Sequence, residues 1–426
     1  IREIKPATVE VEPGIILDDL NQQLRSRQCQ FPVDPVSGKL CTIGGMIATN
    51  AAGPHGVKYG STKDHIESMT VVLANGDFAT FSKDFTSNSS HVGSATTYIH
   101  SQLESLLFQN KEEILQRFPR VAKNSCGYNL IDAVKTGTLD ILKLLTGSEG
   151  TLAVIVRATL RLFPIPRARV GAVAYFRDYS STVEATLRGL ETKPSAIEIM
   201  DRTYFLLGQG FSTATDALIN PEASTMLYFE YEGESTEAIE PSVSKLADAL
   251  KLCHAMRFSI LNSTAELNKL LDLREAVSKK INLDETFGKS SFIEDVAVPI
   301  HNMPAYIVGL SRILQQYGIE FSIYGHAGSG NIHCGTFLDM NDPKQYSAID
   351  RVAGEVNDLA ISLGGTLSGE HGDGFIRTPF LERLYGPEVY QIFNQVKHIF
   401  DPANILNPGK IIGPQNTSIL HDISFA

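Results

Sequence analysis

Between residues 167 and 340, runs rich in β-branched and aromatic residues alternate with segments of helical period, and no other feature limits the fold as strongly. Candidate strands fall at 170–176, 195–200, 226–231, 291–298, 321–325 and 331–337, with candidate helices at 179–191, 236–252, 266–280 and 302–317. Such a chain packs helices on a mostly antiparallel sheet, the α+β class. Upstream, Thr8-Val-Glu-Val-Glu12 alternates like a strand, and Pro13-Gly14 turns it into a helix with Leu17, Leu20 and Leu24 on one face. Residues 68–81 read as a hairpin, with Asn75-Gly76 expected to supply the two positive φ angles of a type I′ turn. A helix is expected over 100–118, and a β-branched run from Leu152 to Phe163 stops at Pro164-Ile-Pro166. Two last helices, near 345–362 and 387–399, precede Asn407-Pro-Gly-Lys410. At about 150 residues per domain, 426 residues make two or three domains.

Several function classes drop out. Asp and Glu outnumber Lys and Arg by 48 to 37, and a net charge of −11 disfavours nucleic acid or an anionic membrane as partner. The longest apolar runs are a handful of residues, as in Val170–Phe176, so no transmembrane span is expected. The five cysteines are scattered without a Cys-x-x-Cys pair, which excludes a zinc ribbon or iron–sulfur cluster built from this chain alone and suits a reducing, cytoplasmic setting. The sequons at Asn88, Asn262 and Asn416 then read as chance matches. Gly288-Lys289-Ser290 resembles the end of a P-loop, but the required earlier glycine is Leu283. No Gly-x-Gly-x-x-Gly follows a strand, so a Rossmann NAD site is not expected.

Three small-residue segments carry the chemistry. Pro32-Val-Asp-Pro35, Thr42-Ile-Gly-Gly45, Asn50 and Gly53 form one, and Thr146-Gly-Ser-Glu-Gly150 another; both let backbone amides approach a ligand, or simply form buried turns. In the third, His326-Ala-Gly-Ser-Gly-Asn-Ile-His333 brings two imidazoles to the mouth of a hairpin, with Glu370-His371 in a further Gly-rich loop. Two His and a carboxylate suit a divalent metal. Spacing alone reaches metal-assisted or His-based chemistry beside a cofactor cradle. A non-flavin metallohydrolase and an inactive fragment or assembly subunit remain open on that basis.

Taken together, Asp34-Pro35, Thr42-Ile-Gly-Gly45, Thr49-Asn-Ala51, Gly147-Ser-Glu-Gly-Thr-Leu152, His326-x-Gly-x-Gly-Asn-x-His333, Gly369-Glu-His-Gly372 and Asn407-Pro-Gly-Lys410 resemble the FAD-linked oxidases of the vanillyl-alcohol-oxidase (PCMH) type. The branch resembled is that of the FAD-dependent D-2-hydroxyacid dehydrogenases, which act on D-lactate, glycolate or D-2-hydroxyglutarate. The wording around Phe292–Pro299 is similar to large bacterial members in which an iron–sulfur domain follows. The resemblance implies a PCMH-type FAD-binding domain over 1–166, a substrate or cap domain with antiparallel sheet and helices over 167–385, and a C-terminal helix and tail over 386–426 returning to the FAD domain. The family's upstream Gly-rich pyrophosphate loop does not occur in this sequence, which implies weakened FAD binding.

By the same resemblance, FAD is held non-covalently by Asp34, Pro35, Thr42, Gly44, Gly45, Asn50, Gly53, Glu149, Gly150, Ile155 and Asn407. A divalent metal, Zn or Mn, sits at His326, His333 and Glu370, with His371 as the base and Arg274 and Ser278 on the substrate carboxylate. Glu370 and His371, as neighbours in an extended loop, are expected to point opposite ways. Ile293 and Gly335 stand where many hydroxyglutarate-type members have a Lys and a polar residue, which counts against a second-carboxylate pocket. The implied reaction oxidises a small D-2-hydroxyacid and passes electrons to an acceptor protein or iron–sulfur domain outside this chain, such a partner placing a cytoplasmic enzyme at the periphery of the inner membrane.

Overall fold

The computed structural model describes residues 1–83, 94–210, 216, 219–263, 266–267, 273, 277, 288–290, 292–338 and 342–422. The strands are β1 (Glu3–Ile4), β2 (Thr8–Val11), β3 (Cys29–Gln30), β4 (Ile66–Val72), β5 (Phe78–Ser82), β6 (Val154–Arg161) and β7 (Phe163–Pro164), followed by β8 (Ala168–Phe176), β9 (Ala196–Asp201), β10 (Thr225–Gly233), β11 (Arg257–Leu261), β12 (Gly288–Ser290), β13 (Val296–Ala297), β14 (Glu320–His326) and β15 (Asn331–Leu338). A five-stranded sheet runs β1-β2-β6-β4-β5, an eight-stranded sheet runs β11-β8-β10-β9-β14-β15-β12 with β13 also on β15, and β3 pairs β7. Every pairing is antiparallel. The chain leaves the first sheet after Arg161, passes through β7 and enters the large one after Ile165-Pro-Arg167.

Alternation explains the large sheet's two faces. Ala172, Ala174, Ile197, Ile199, Leu227 and Phe229 join one buried core, where the helices Tyr179–Leu190 and Thr236–Leu252 cover β8 and β10. The opposite face carries Val173, Tyr175, Met200, Met226 and Tyr228, with Tyr324 packed against them, in a separate cluster. Tyr324 lies opposite both Met200 and His333, so that second face also leads to the His-rich hairpin.

Some expected elements take another form. In the 66–82 hairpin only Gly76 has positive φ, so the turn is not type I′: Asn75 Oδ1 instead accepts from Asp77 N, and the loop spans Leu73–Asp77. The helix expected over 100–118 is two helices, Ser94–Gln109 and Lys111–Arg117, broken at Asn110. The strand expected over 291–298 is regular only at Val296–Ala297; the Glu294 carbonyl still accepts from Cys334 N of β15, while the Asp295 side chain turns to the 368–371 loop. The last helix, expected over 387–399, runs from Pro387 to Phe400 and is preceded by a further helical stretch from Leu381, the two meeting at the non-helical Gly386. Most of the helix expected over 266–280, including Arg274 and Ser278, lies outside the described residues. Among the described residues no helix is long and apolar enough to cross a membrane.

A charged latch joins the N-terminal part to the large sheet. His55 Nδ1 meets Asp34 Oδ2 at 2.5 Å and its Nε2 meets Glu230 Oε1 at 2.9 Å, while Arg169 Nε donates to the same Glu230 oxygen at 2.7 Å. Lys58 and Tyr59 both reach Glu232 Oε2. Burial alone would depress the imidazole, but Asp34 and Glu230 outweigh it and raise His55 to about 11. Burial likewise pushes Glu230 up, and His55 and Arg169 overcome it, bringing Glu230 to about 2. The raised His55 contributes stability fully present below its ordinary value of about 6.5 and lost as pH rises through the folded value. The depressed Glu230 contributes stability present above its ordinary value and lost as pH falls toward 2. The latch is therefore strongest from about pH 4.5 to 6.5. The melting-temperature difference between wild type and His55→Gln should peak there and shrink steadily toward pH 9; a difference independent of pH would show that the His55 charge does not hold this interface.

Candidate active site

Two loops of the large sheet meet around one buried carboxylate. Asp295, fully buried, accepts through Oδ2 from Ser368 Oγ (2.6 Å), Glu370 N (3.0 Å) and His371 N (2.8 Å), and through Oδ1 from Asn331 Nδ2 (3.0 Å). Burial opposes its charge, but His371, His333 and Arg377 outweigh that and hold the carboxyl well below the usual carboxylate range. Because the 368–371 backbone curls around this oxygen, with Gly372 at φ +87°, Glu370 and His371 do not point opposite ways as an extended segment would. Suitable ligand atoms of Asp295, His333, Glu370 and His371 all lie within 4.8 Å of one another.

His326 and His333 converge on Glu370. Glu370 Oε1 lies 2.9 Å from His326 Nε2 and 3.3 Å from His333 Nε2, and all three side chains are buried. Each imidazole has its other nitrogen beside an acceptor: His326 Nδ1 is 2.7 Å from Glu198 Oε1, and His333 Nδ1 is 3.1 Å from the Glu294 carbonyl. With Nδ1–H assigned by those acceptors, both Nε2 lone pairs face one carboxylate oxygen. That is repulsive unless protons or a cation lie between them. Two imidazoles and a carboxylate are donors suited to zinc or manganese, and a carboxylate behind a ligating His is the usual supporting partner, so the residues present fit a divalent ion.

His371 stacks on His333 with centroids 5.2 Å apart and an interplanar angle of 16°, and its imidazole remains about half exposed, at 48%. Its Nδ1 lies 3.1 Å from Glu294 Oε1, while Arg377 Nη2 donates to Glu294 Oε2 at 2.6 Å. Burial would lower this imidazole, but Asp295 and Glu294 raise it to about 10, far from the ordinary value on which a neutral-pH base would rest. A divalent cation beside Glu370 would offset that carboxylate field and bring His371 back down.

A separate cavity of about 370 Å³ lies between the N-terminal turn and β6, lined by Pro13, Gly14, Thr42, Gly44, Gly45, Ala48, Gly150, Ala153, Val154 and Ile155. It unites five of the expected cofactor residues: Thr42, Gly44, Gly45, Gly150 and Ile155. Thr42 caps the helix Ile43–Thr49 by accepting from Gly45 N. At Gly150 (φ +70°) a Cβ would meet nothing within 4 Å, so the backbone there faces open space. Such a small-residue cradle fits a flat cofactor whose polar edge is read by backbone groups.

The other expected cofactor residues do not line that cavity, and their contacts show why. Asp34 belongs to the His55 latch, beside Pro35, and Gly53 sits where any Cβ would strike the Asp34 carbonyl. Asn50 caps a helix at φ +54°, with Oδ1 taken by Lys63 N. Glu149 accepts from the backbone of Asp373 and Gly374, and Asn407 Nδ2 donates to the Glu149 carbonyl. Glu149, held by Asn407, thus ties the cradle to the loop that follows His371, while Asp34 ties it through His55 to β10. Ile293 is buried in the main core, and a Cβ on Gly335 would lie 3.1 Å from Ser322 Oγ. Sequence reasoning missed Lys123, Glu198, Glu294 and Asp295. The only available signal was Glu-Asp at 294–295, interrupting an apolar run.

The family model for the C-terminal domain of the FAD linked oxidases matches residues 165–411, and that for an FAD binding domain matches 1–82. The D-2-hydroxyglutarate dehydrogenase of Haemophilus influenzae is 27% identical over 96% of this chain, which spans only 42% of that protein. The D-lactate dehydrogenase of Archaeoglobus fulgidus is 30% identical over 94% of the chain and 76% of its own length. The glycolate oxidase subunit GlcD of Bacillus subtilis is 28% identical, covering 95% of the chain and 75% of its own length. Among solved structures, p-cresol methylhydroxylase shares the fold at a TM-score of 0.66 and 16% identity, covering 98% of this chain and 79% of its own.

If Glu198 sets the His326 tautomer, Glu198→Gln should weaken zinc binding by roughly 10–100-fold with the fold intact. Competition with a chromogenic chelator measures this, and unchanged zinc affinity would show that the contact does not support a metal ligand.

Proposed function

Because this chain belongs to the FAD-linked oxidase family, we propose that it oxidises a small D-2-hydroxyacid of the lactate, glycolate or 2-hydroxyglutarate class to the 2-oxoacid, handing the electrons to an acceptor other than NAD. The observation that carries the reading is the convergence of His326 and His333 Nε2 on Glu370, with His371 stacked beside them. A metallohydrolase would use that cluster but leaves unexplained the flavin-family matches over 1–82 and 165–411.

Bound FAD would supply a two-electron acceptor for the hydride leaving the α-carbon. A divalent ion held by His326, His333 and Glu370 would lower the pKa of the substrate hydroxyl. The protein's own part is to hold and move the proton. Glu294, fixed by Arg377, anchors His371 Nδ1 and leaves Nε2 as the atom to receive the hydroxyl proton. Arg274, with Ser278 four residues on, is assigned to the substrate carboxylate, where a planar guanidinium can donate two parallel hydrogen bonds. Thr42, Gly44, Gly45, Gly150 and Ile155 form the wall against which the cofactor rests. The electron acceptor is a protein or iron–sulfur domain.

With FAD and zinc or manganese supplied, D-lactate, glycolate or D-2-hydroxyglutarate should bleach the flavin band near about 450 nm under anaerobic conditions, and acid precipitation should release the flavin. A protein that binds FAD yet is bleached by none of the three acids would refute the substrate class. His371→Asn should retain metal and flavin while losing on the order of 100-fold in reduction rate, whereas Glu370→Gln should lose metal affinity. Exchanged phenotypes would overturn these two roles while leaving the reaction in place.

A further inference from the structure

The His–His–Glu cluster receives one charged group from the N-terminal part of the chain, and neither the family reading nor the mechanism above uses it. Lys123 lies between the helices Lys111–Arg117 and Leu130–Val134, is only 6% exposed, and donates from Nζ to Glu370 Oε2 at 2.7 Å and to the Gly53 carbonyl at 3.2 Å. It passes close to Gly56, where a Cβ would lie 2.9 Å from Lys123 Cε. The two oxygens of Glu370 are thus divided, with Oε2 held by an ammonium from one part of the molecule and Oε1 facing both imidazoles.

We propose that Lys123 is a positioning residue of the metal centre, keeping Glu370 a one-oxygen donor and adding a positive charge that favours the bound anion over the bound metal. The inference rests on the metal reading given above. A carboxylate offering both oxygens would fill two coordination positions of a divalent ion. A 2-hydroxyacid must itself supply two oxygens, its carboxylate and its hydroxyl, so it benefits when Glu370 supplies only one. The ammonium next to Glu370 also repels a cation held there and attracts an anion. A buried lysine serving stability alone carries neither consequence. The contact crosses from the cradle side to the sheet side of the molecule, since the same ammonium also holds the Gly53 carbonyl.

Cobalt(II) titration of the full chain, followed by oxalate titration of the cobalt-loaded protein, separates these consequences. Oxalate is a two-oxygen anion and needs no turnover. Lys123→Met should bind cobalt at least about tenfold more tightly, with a visible spectrum altered by the second Glu370 oxygen, and should bind oxalate about tenfold more weakly. Lys123→Gln keeps amide donors without the charge, so it should show the same two affinity shifts even if the methionine variant fails to fold. Lys123→Arg should restore the wild-type pattern. Weaker cobalt binding, or oxalate affinity unchanged in both neutral variants, would overturn the role assigned to Lys123. A wild-type chain that takes up no cobalt would refute the metal centre itself, and the role of Lys123 with it.

Discussion

The candidate site hangs on Asp295. A carboxylate without solvent exposure is costly unless its oxygens are satisfied, and here four donors converge on them, two of them backbone amides. One side chain therefore fixes the turn that carries Glu370 and His371 and, through Asn331, the hairpin that carries His326 and His333. Replacing any of those donors would leave a buried charge short of partners, which is why the loops behave as one unit although 36 residues separate Asp295 from Asn331 and 75 separate it from Glu370.

Charge organises the molecule at two further places. The His55 latch joins the cradle side to β10, alternating cations and carboxylates so that each carboxylate keeps a positive neighbour. Lys123 does the same beside Glu370. The latch crosses between the parts of the chain matched by different family models, and Lys123 comes from the segment between those two matches, so the cradle and the His-rich loops are held in register by ion pairs as well as by the shared apolar core. Buried pairs of this kind add little net stability over apolar packing but penalise misplacement heavily, which suits a site whose halves come from distant segments.

The neutral-pH basicity of His371 is where local reasoning and the structure part. An isolated imidazole suits proton removal near neutrality, yet Asp295, Glu294 and Glu370 surround this one and hold it protonated well above that range. A divalent cation held at Glu370 would offset part of that carboxylate field. A base at His371 and a metal at Glu370 would therefore depend on each other in a way that neither residue type announces.

Local pattern was enough to locate most strands and helices, the His-x-Gly-x-Gly-Asn-x-His hairpin and the glycines of the cradle, because side-chain period, capping residues and positive-φ positions are written into neighbouring residues. It overestimated regularity where a side chain competes with the backbone, as in the Asn75 turn and at Asp295, which lies outside the regular strand Val296–Ala297. What only the tertiary structure decided is which distant groups complete the site. Glu198 faces His326 because β9 pairs with β14 in a register that sets Met200 against Tyr324, 124 residues apart by their numbering. Lys123 reaches Glu370 across 247 residues. The polar atoms of Asp34, Asn50, Glu149 and Asn407 found partners in other elements, which tie the cradle to the rest of the molecule. Such partnerships depend on how the two sheets are packed together, and no window of local sequence contains that information.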